Sequence, residues 1–289
     1  MSNLRPILLM ITAMAFFALG DSAIKLAARA IPAGQVLAAI GLFGGIAFAL
    51  MTRAQGHRIL APDFLHPAVI VRNLAEITGT LSMVTALSLV ALSTTSAILQ
   101  ATPLAVTLGA AVILGESVGW RRWLATLIGF GGVLIIVRPG AAGFDINTLW
   151  ALGAMLALAL RDLLTRLVPP TLPTLRLATY GMASLFPAGL VSMVLWGEAP
   201  ARMGLTTTVY VALAVFAGVS GYWALTAAMR MGEVSVVAPF RYSRILFALI
   251  AGAFVFGENP DIWTLIGAAI TILAGLFIFL REGRLKKTG

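Results

Sequence analysis

Residues 235–258 read SVVAPFRYSRILFALIAGAFVFGE. The stretch is apolar enough to sit in a bilayer, yet it carries Arg241 and Arg244, with Tyr242 between them and Pro239 just before. A guanidinium near the centre of a membrane helix costs about 2.5–3.5 kcal/mol on insertion scales. Two on one segment demand compensation, either a water-filled hollow with a bound anionic group or internal partners such as Glu76, Asp21 or Asp162. The stretch closes on Gly257-Glu258, and the same dipeptide stands upstream as Gly115-Glu116. Charges in a membrane segment and a duplicated ending together organise the rest of the chain.

Working outward, the chain has 289 residues, 60% hydrophobic and 11% charged, with a mean hydropathy of +0.99. A soluble domain carries roughly 25% charged residues, so an all-α polytopic membrane protein is expected. Cysteine is absent, which excludes disulfides and thiolate metal sites. His57 and His66 fall in a polar linker, so no metal or cofactor is expected. The net charge of +9 reads as a topology signal, with no nucleic-acid partner implied. A span needs about 20 mostly apolar residues. Ten are predicted, over 6–28, 33–52, 68–91, 94–114, 120–137, 147–168, 174–196, 205–229, 234–256 and 262–280. The first is long enough to stay as a helix, with no cleavable leader. The region 77–115 is uncharged and too long for one span, and Ser93-Thr94-Thr95-Ser96 is the expected turn.

Placing both termini in the cytoplasm puts most basic residues there, among them Arg53, Arg58, Arg121, Arg122 and the run from Arg281 to Lys287. Lys25, Arg29, Arg138 and Arg202 fall on the other side. The bias supports that orientation and an even number of spans. The chain also repeats itself. Ala18-Leu19-Gly20-Asp21-x3-Lys25-Leu26 matches Ala159-Leu160-Arg161-Asp162-x3-Arg166-Leu167, Pro32 matches Pro173, Gly115-Glu116 matches Gly257-Glu258, and Trp120 and Arg138 match Trp263 and Arg281. The expected halves are residues 1–140 and 141–289. Five spans per half make the second enter the membrane from the opposite face, giving inverted repeats, the arrangement on which alternating access is commonly built.

The Gly-Asp-x3-Lys of the first span, Arg72 opening the third, Pro103 with Gly115-Glu116, Arg138-Pro139-Gly140 and the Ser-Val-Val-Ala-Pro-Phe-Arg-Tyr run jointly resemble the ten-helix, EamA-type branch of the drug/metabolite transporter superfamily. The resemblance covers nearly the whole chain. It implies a multi-pass carrier of the bacterial inner membrane with a central cavity between two bundles. Subgroups that look similar carry riboflavin, S-adenosylmethionine and amino-acid metabolites.

The candidate site follows from polar residues inside the predicted spans. Asp21 and Lys25, and Asp162 and Arg166, are spaced to pair on one helix face. With Arg161 they are expected as gate or neutralising ion pairs, the first toward the outside and the second toward the cytoplasm. Arg72 and Glu76 are also four apart, and Glu76 is the expected proton carrier, a desolvated carboxyl. Arg241 and Arg244 share a face and are expected to line a cavity, where a guanidinium fork suits a carboxylate or phosphate. Gln100, Tyr222, Trp223 and Tyr242 are further candidate contacts. Pro103, Pro187 and Pro239 mark interrupted helices, which point to binding sites in carriers. Glu116 and Glu258 are read as loop-ordering residues. No Gly-x4-Gly-Lys-Ser run exists, so ATP-driven pumping is not supported.

The expectation is a secondary carrier, not an enzyme, for a small organic solute bearing a carboxylate or other anionic or polar group. Protons are the candidate coupling ion, and the carrier is expected as a monomer or homodimer. Two alternatives stand beside it. A lipid-modifying membrane enzyme would need clustered acids, His or Cys at the interface. A non-transporting assembly subunit would show no solute flux.

Overall fold

The computed structural model describes residues 4–115, 119–139, 144–169, 171–231 and 237–288, without the side chains of 230, 238, 279 and 281–288. Glu116, Gly140, Ser235 and Val236, all used above, lie outside the described residues. The described residues form ten helical spans: α1 (Leu4–Ala27), α2 (Ala33–Ala54), α3 (Pro67–Leu89), α4 in two pieces (Leu92–Leu99 and Thr102–Val112), α5 (Trp120–Val137), α6 (Thr148–Thr165), α7 (Thr174–Leu195), α8 (Leu205–Met231), α9 (the 3-10 turn Ala238–Ser243 running into Arg244–Phe256) and α10 (Ile262–Thr288). Eight are long and apolar enough to cross a membrane, counting α4 as one. The other two are α3, which carries Arg72, Asn73 and Glu76, and α10, whose apolar part is the shorter Ile262–Ile278.

The packing follows the duplication. The dominant partners are α1 with α8, α3 with α6, α2 with α7 and α5 with α10. Exchanging the halves turns the first pair into the second and each of the last two into itself. All four join one half to the other, so the protein is two interlocked inverted five-helix repeats. Close approach depends on small residues: a Cβ on Gly132 or on Gly267 would run into the backbone of the other. Gln100 Nε2 donates to the Tyr242 carbonyl at 3.0 Å, and Thr271 Oγ1 to the Gly129 carbonyl at 3.1 Å. Both contacts span 142 residues, which is also the spacing of Gly115-Glu116 and Gly257-Glu258. Within α4 and α9 that spacing relates equivalent positions, so Gln100 meets its own counterpart; in α5 and α10, where Trp120 and Arg138 match Trp263 and Arg281 at 143, Thr271 lies one residue from the counterpart of Gly129.

Two expectations change. The Ser93–Ser96 cluster is no turn. It lies buried within the first piece of α4, and the chain turns at Val90 and Ala91 instead. A serine or threonine hydroxyl in a membrane helix is easily buried against a neighbouring helix, and a carboxylate from another part of the chain supplies this helix start with its acceptor. Proline marks two real breaks and one that is not. α4 breaks at Gln100 and Ala101, just before Pro103, and Pro239 sits in the 3-10 turn of α9, but Pro187 lies inside an unbroken α7.

Candidate functional site

A polar layer crosses the interior where α1, α3, α6 and α9 meet. Asp21, Arg72, Asn73 and Glu76 are all buried. Such groups inside a membrane protein are retained when paired or lining a path. α3 places Glu76 about 14 Å and Arg72 about 8 Å from its start, at ~1.5 Å per residue. Glu76 Oε2 lies 2.7 Å from Arg72 Nη2 and Oε1 lies 2.9 Å from Arg161 Nη1. Arg161 also grips Asp162 Oδ1 from Nε (2.9 Å) and Nη2 (2.7 Å). Arg72 donates from Nη1 to Asn73 Oδ1 at 3.1 Å, and its buried Nε has no hydrogen-bond partner among the described residues. Gly181 of α7 leaves the space that Arg72 occupies, since a Cβ there would meet its Nη1.

Beside this cluster is a cavity of about 70 Å³ lined by Phe48, Arg72, Glu76, Arg161, Met182 and Tyr222, with Ala178. Phe48 and Tyr222 meet edge to face at 5.1 Å between centroids, forming an aromatic wall opposite the charges. Nearer the face away from the chain ends, Arg244 donates from Nη2 (2.6 Å) and Nε (3.1 Å) to Asp21 Oδ2, its guanidinium lying 5.5 Å from the centre of the Phe17 ring. Arg241 is exposed and makes no ion pair among the described residues; the charges acting on it are Asp162, attractively, and Arg161 and Arg244, repulsively.

Several expected contacts are corrected by this geometry. Asp21 does not pair with Lys25. Lys25 reaches instead to the carbonyls of Leu87 (3.1 Å) and Val90 at the end of α3, and to Glu258 at 3.8 Å. Lysine's long stem can leave its helix face, which frees Asp21 for Arg244. Asp162 is held by its neighbour Arg161. Glu76, the expected proton carrier, is paired with Arg72, four residues before it, and with Arg161 as well. The two α9 guanidiniums do not act as a pair. Arg244 is tied to Asp21 while keeping 22% of its side chain exposed, and Arg241 stands apart. Trp223 shares its helix face with Leu205, Val209 and Phe216, all exposed, so it belongs to the lipid-facing stripe of α8. Tyr242 is buried, with its hydroxyl in the space that Gly275 of α10 leaves open. Gln100 is buried at the break of α4, holding the break of α9.

The residues missed at the sequence level are Phe17, Phe48 and Gly181. An aromatic or glycine in an apolar span carries no signal of its own; only the neighbouring helix reveals its role. At the face opposite the chain ends is a second hollow of about 330 Å³, lined among others by Ser93, Arg138, Asp145, Glu258, Asp261 and Thr264. Arg138 and Asp261 form an ion pair across it, joining α5 to α10. Burial works against the Asp261 carboxylate, but hydrogen bonds from Thr264 and the Arg138 guanidinium outweigh it and hold this carboxyl below its usual range.

An inverted-repeat helical membrane protein with paired charges where its halves meet is a class defined by architecture. The sequence comparisons narrow it. The chain belongs to the EamA-like transporter family, whose model matches residues 4–138 and again 146–280. It is 32% identical over 225 residues to an S-adenosylmethionine uptake transporter of Rickettsia bellii, covering 76% of this chain and 73% of that one. It is also 32% identical over 186 residues to a riboflavin transporter of Vibrio cholerae, covering 63% of this chain and 60% of that one. A solved crystal structure shares the fold over 98% of this chain and 99% of its own, with a TM-score of 0.67 at 19% identity.

Proposed function

We propose that the protein is a secondary carrier of a small metabolite that joins a zwitterionic amino-acid group to a planar ring, with S-adenosylmethionine, whose added sulfonium cation also suits the site carboxylates, as the first candidate. The observation that supports this reading is the composition of the polar layer. The guanidiniums of Arg72, Arg161, Arg241 and Arg244 face the carboxylates of Asp21, Glu76 and Asp162, leaving Arg241 in excess. A solute carboxylate complements that excess, a solute ammonium suits the carboxylates, and the Phe48–Tyr222 wall offers a ring surface. The ~70 Å³ cavity has room for roughly two waters at about 30 Å³ each. A solute of this size therefore enters only when the helices around the layer part, as alternating access requires. The repeats 1–140 and 141–289 are the proposed duplicated halves. Because each dominant helix pair joins one half to the other, the moving bodies are helix groups drawn from both, in a bacterial inner membrane with both termini cytoplasmic.

A second reading, riboflavin, is favoured by the equal identity to the Vibrio cholerae transporter. It would use the aromatic wall and leave Arg241 without an ionic role. The test is counterflow in proteoliposomes with labelled S-adenosylmethionine and labelled riboflavin, with and without an imposed pH gradient. Trans-stimulated accumulation of the first, weakened by Arg241→Ala, supports the zwitterion reading. Accumulation of riboflavin alone, unaffected by that change, replaces it, and accumulation of neither removes both.

A further inference from the structure

We propose that Glu258 is the latch that closes this carrier at the face opposite the chain ends, an inference that rests on the transport reading above. Glu258 follows the left-handed Gly257 (φ 64°) that ends α9, and its N–H donates to the Gly252 carbonyl at 2.8 Å. That turn sends the carboxylate across to the start of α4. There Oε1 accepts from Leu92 N at 2.7 Å, and Oε2 accepts from Ser93 N at 3.0 Å and Ser93 Oγ at 2.8 Å. A carboxylate at a helix N-terminus satisfies orphan amides and meets the positive end of the helix dipole.

The other side of the same turn is held by the opposite charge. Lys25 of α1 caps the end of α3 through the carbonyls of Leu87 and Val90, and lies 3.8 Å from Glu258. Phe256, two residues before Glu258, lies under both Lys25 (5.5 Å to the ring centre) and Arg29 (5.1 Å). The cluster therefore ties α1, α3 and α4 of the first repeat to the end of α9 in the second. Glu258 and Ser93 also line the 330 Å³ hollow at that face, placing the latch at the inner boundary of the space a solute reaches first from that side. The helices cannot separate at this face without removing the carboxylate from the α4 amides. This makes Glu258 a positioning residue for access, not a substrate contact. Gly252 is part of the device, since a Cβ there would lie 2.7 Å from Glu258 Oε2.

The chain has no cysteine, so a single probe reads the gate. Ser96 is one turn further into α4 than Leu92 and Ser93 and is 2% exposed. Ser96→Cys is labelled with a membrane-impermeant maleimide in sealed vesicles of each orientation. The Ser96→Cys protein should label slowly from both faces. Adding Glu258→Ala should raise the rate about ten-fold from the face opposite the chain ends alone, as expected when the closed state loses its bias. Adding Glu258→Gln should give a smaller rise, and Gly252→Ala, which displaces the carboxylate without removing it, should give one too. If Glu258→Ala does not fold, these last two carry the same readout. Unchanged labelling at an unaltered unfolding temperature overturns the latch, and so does an equal rise from both faces. The outcomes separate from those of the carrier reading. One-sided opening in a protein that moves neither labelled solute sinks the carrier reading and leaves the latch, whereas counterflow with unchanged labelling sinks the latch alone.

Discussion

Asp21 and Asp162 hold the same place in the two repeats, yet their surroundings differ. Asp21 is 3% exposed and reaches across to α9 of the other half, where Arg244 is its partner. Asp162 is held by the residue beside it, Arg161, which also crosses to Glu76 on α3. The position before each aspartate explains the divergence. In the first repeat it is Gly20, which has no side chain to offer Asp21. In the second it is Arg161, which fills the α3–α6 contact with charge. The duplicated backbone is thus common to both halves while the electrostatics are not. The two ends of the polar layer, which symmetry alone would make alike, are held by different ion pairs.

The largest expected effect comes from isolating one partner on the Asp21 side. Asp21→Ala strands Arg244 without a carboxylate among the described residues, and should cost ~2–4 kcal/mol, the lower part of the range for broken buried pairs because Arg244 keeps some solvent contact. Adding Arg244→Ala should recover at least about 1 kcal/mol, a coupling measured by a double-mutant cycle of unfolding in detergent. On the other side the network is redundant. Asp162→Ala leaves Arg161 on Glu76 and should cost only about 1–2 kcal/mol. Equal losses at the two sites would erase the distinction.

Arg241→Ala should change unfolding by less than about 0.5 kcal/mol, as expected for a side chain outside the pairs, while raising the transport KM several-fold. A destabilisation as large as that of Asp21→Ala would show Arg241 to be structural instead. The smallest effect belongs to Arg138 and Asp261. The Asp261 carboxyl is held below its ordinary range, so its stabilisation is complete above roughly pH 4, the ordinary carboxylate value. It is lost as pH falls through the lower folded value. Asp261→Asn should remove that acid dependence at a cost of ~0–1 kcal/mol, typical of exposed pairs, read as unfolding temperature against pH.

Much of the fold was legible because a bilayer imposes its own ruler. Long apolar runs, basic flanks and a repeat whose offset drifts by only two residues led to ten spans and two inverted halves. The α3–α4 turn was misread because the start of α4 is capped by a carboxylate 166 residues away, beyond the reach of any local signal. The ion pairs were misread for a related reason. Spacing along one helix says which groups are neighbours, not which will prefer a partner across the interface. Lys25 chose α3 carbonyls, and Asp21 chose Arg244. Trp223 was a different error, since its spacing from Leu205, Val209 and Phe216 already described an apolar stripe facing lipid.

The bond from Gln100 to the Tyr242 carbonyl joins a position to its own counterpart in the other repeat. A point that maps onto itself when the halves trade places is where an exchange of their shapes produces least displacement. The breaks of α4 and α9 meet there, so the protein would rock about a fulcrum made of its two interrupted helices. A spectroscopic label pair at these positions should report nearly one distance through the whole cycle, while pairs toward either rim swing in opposite senses.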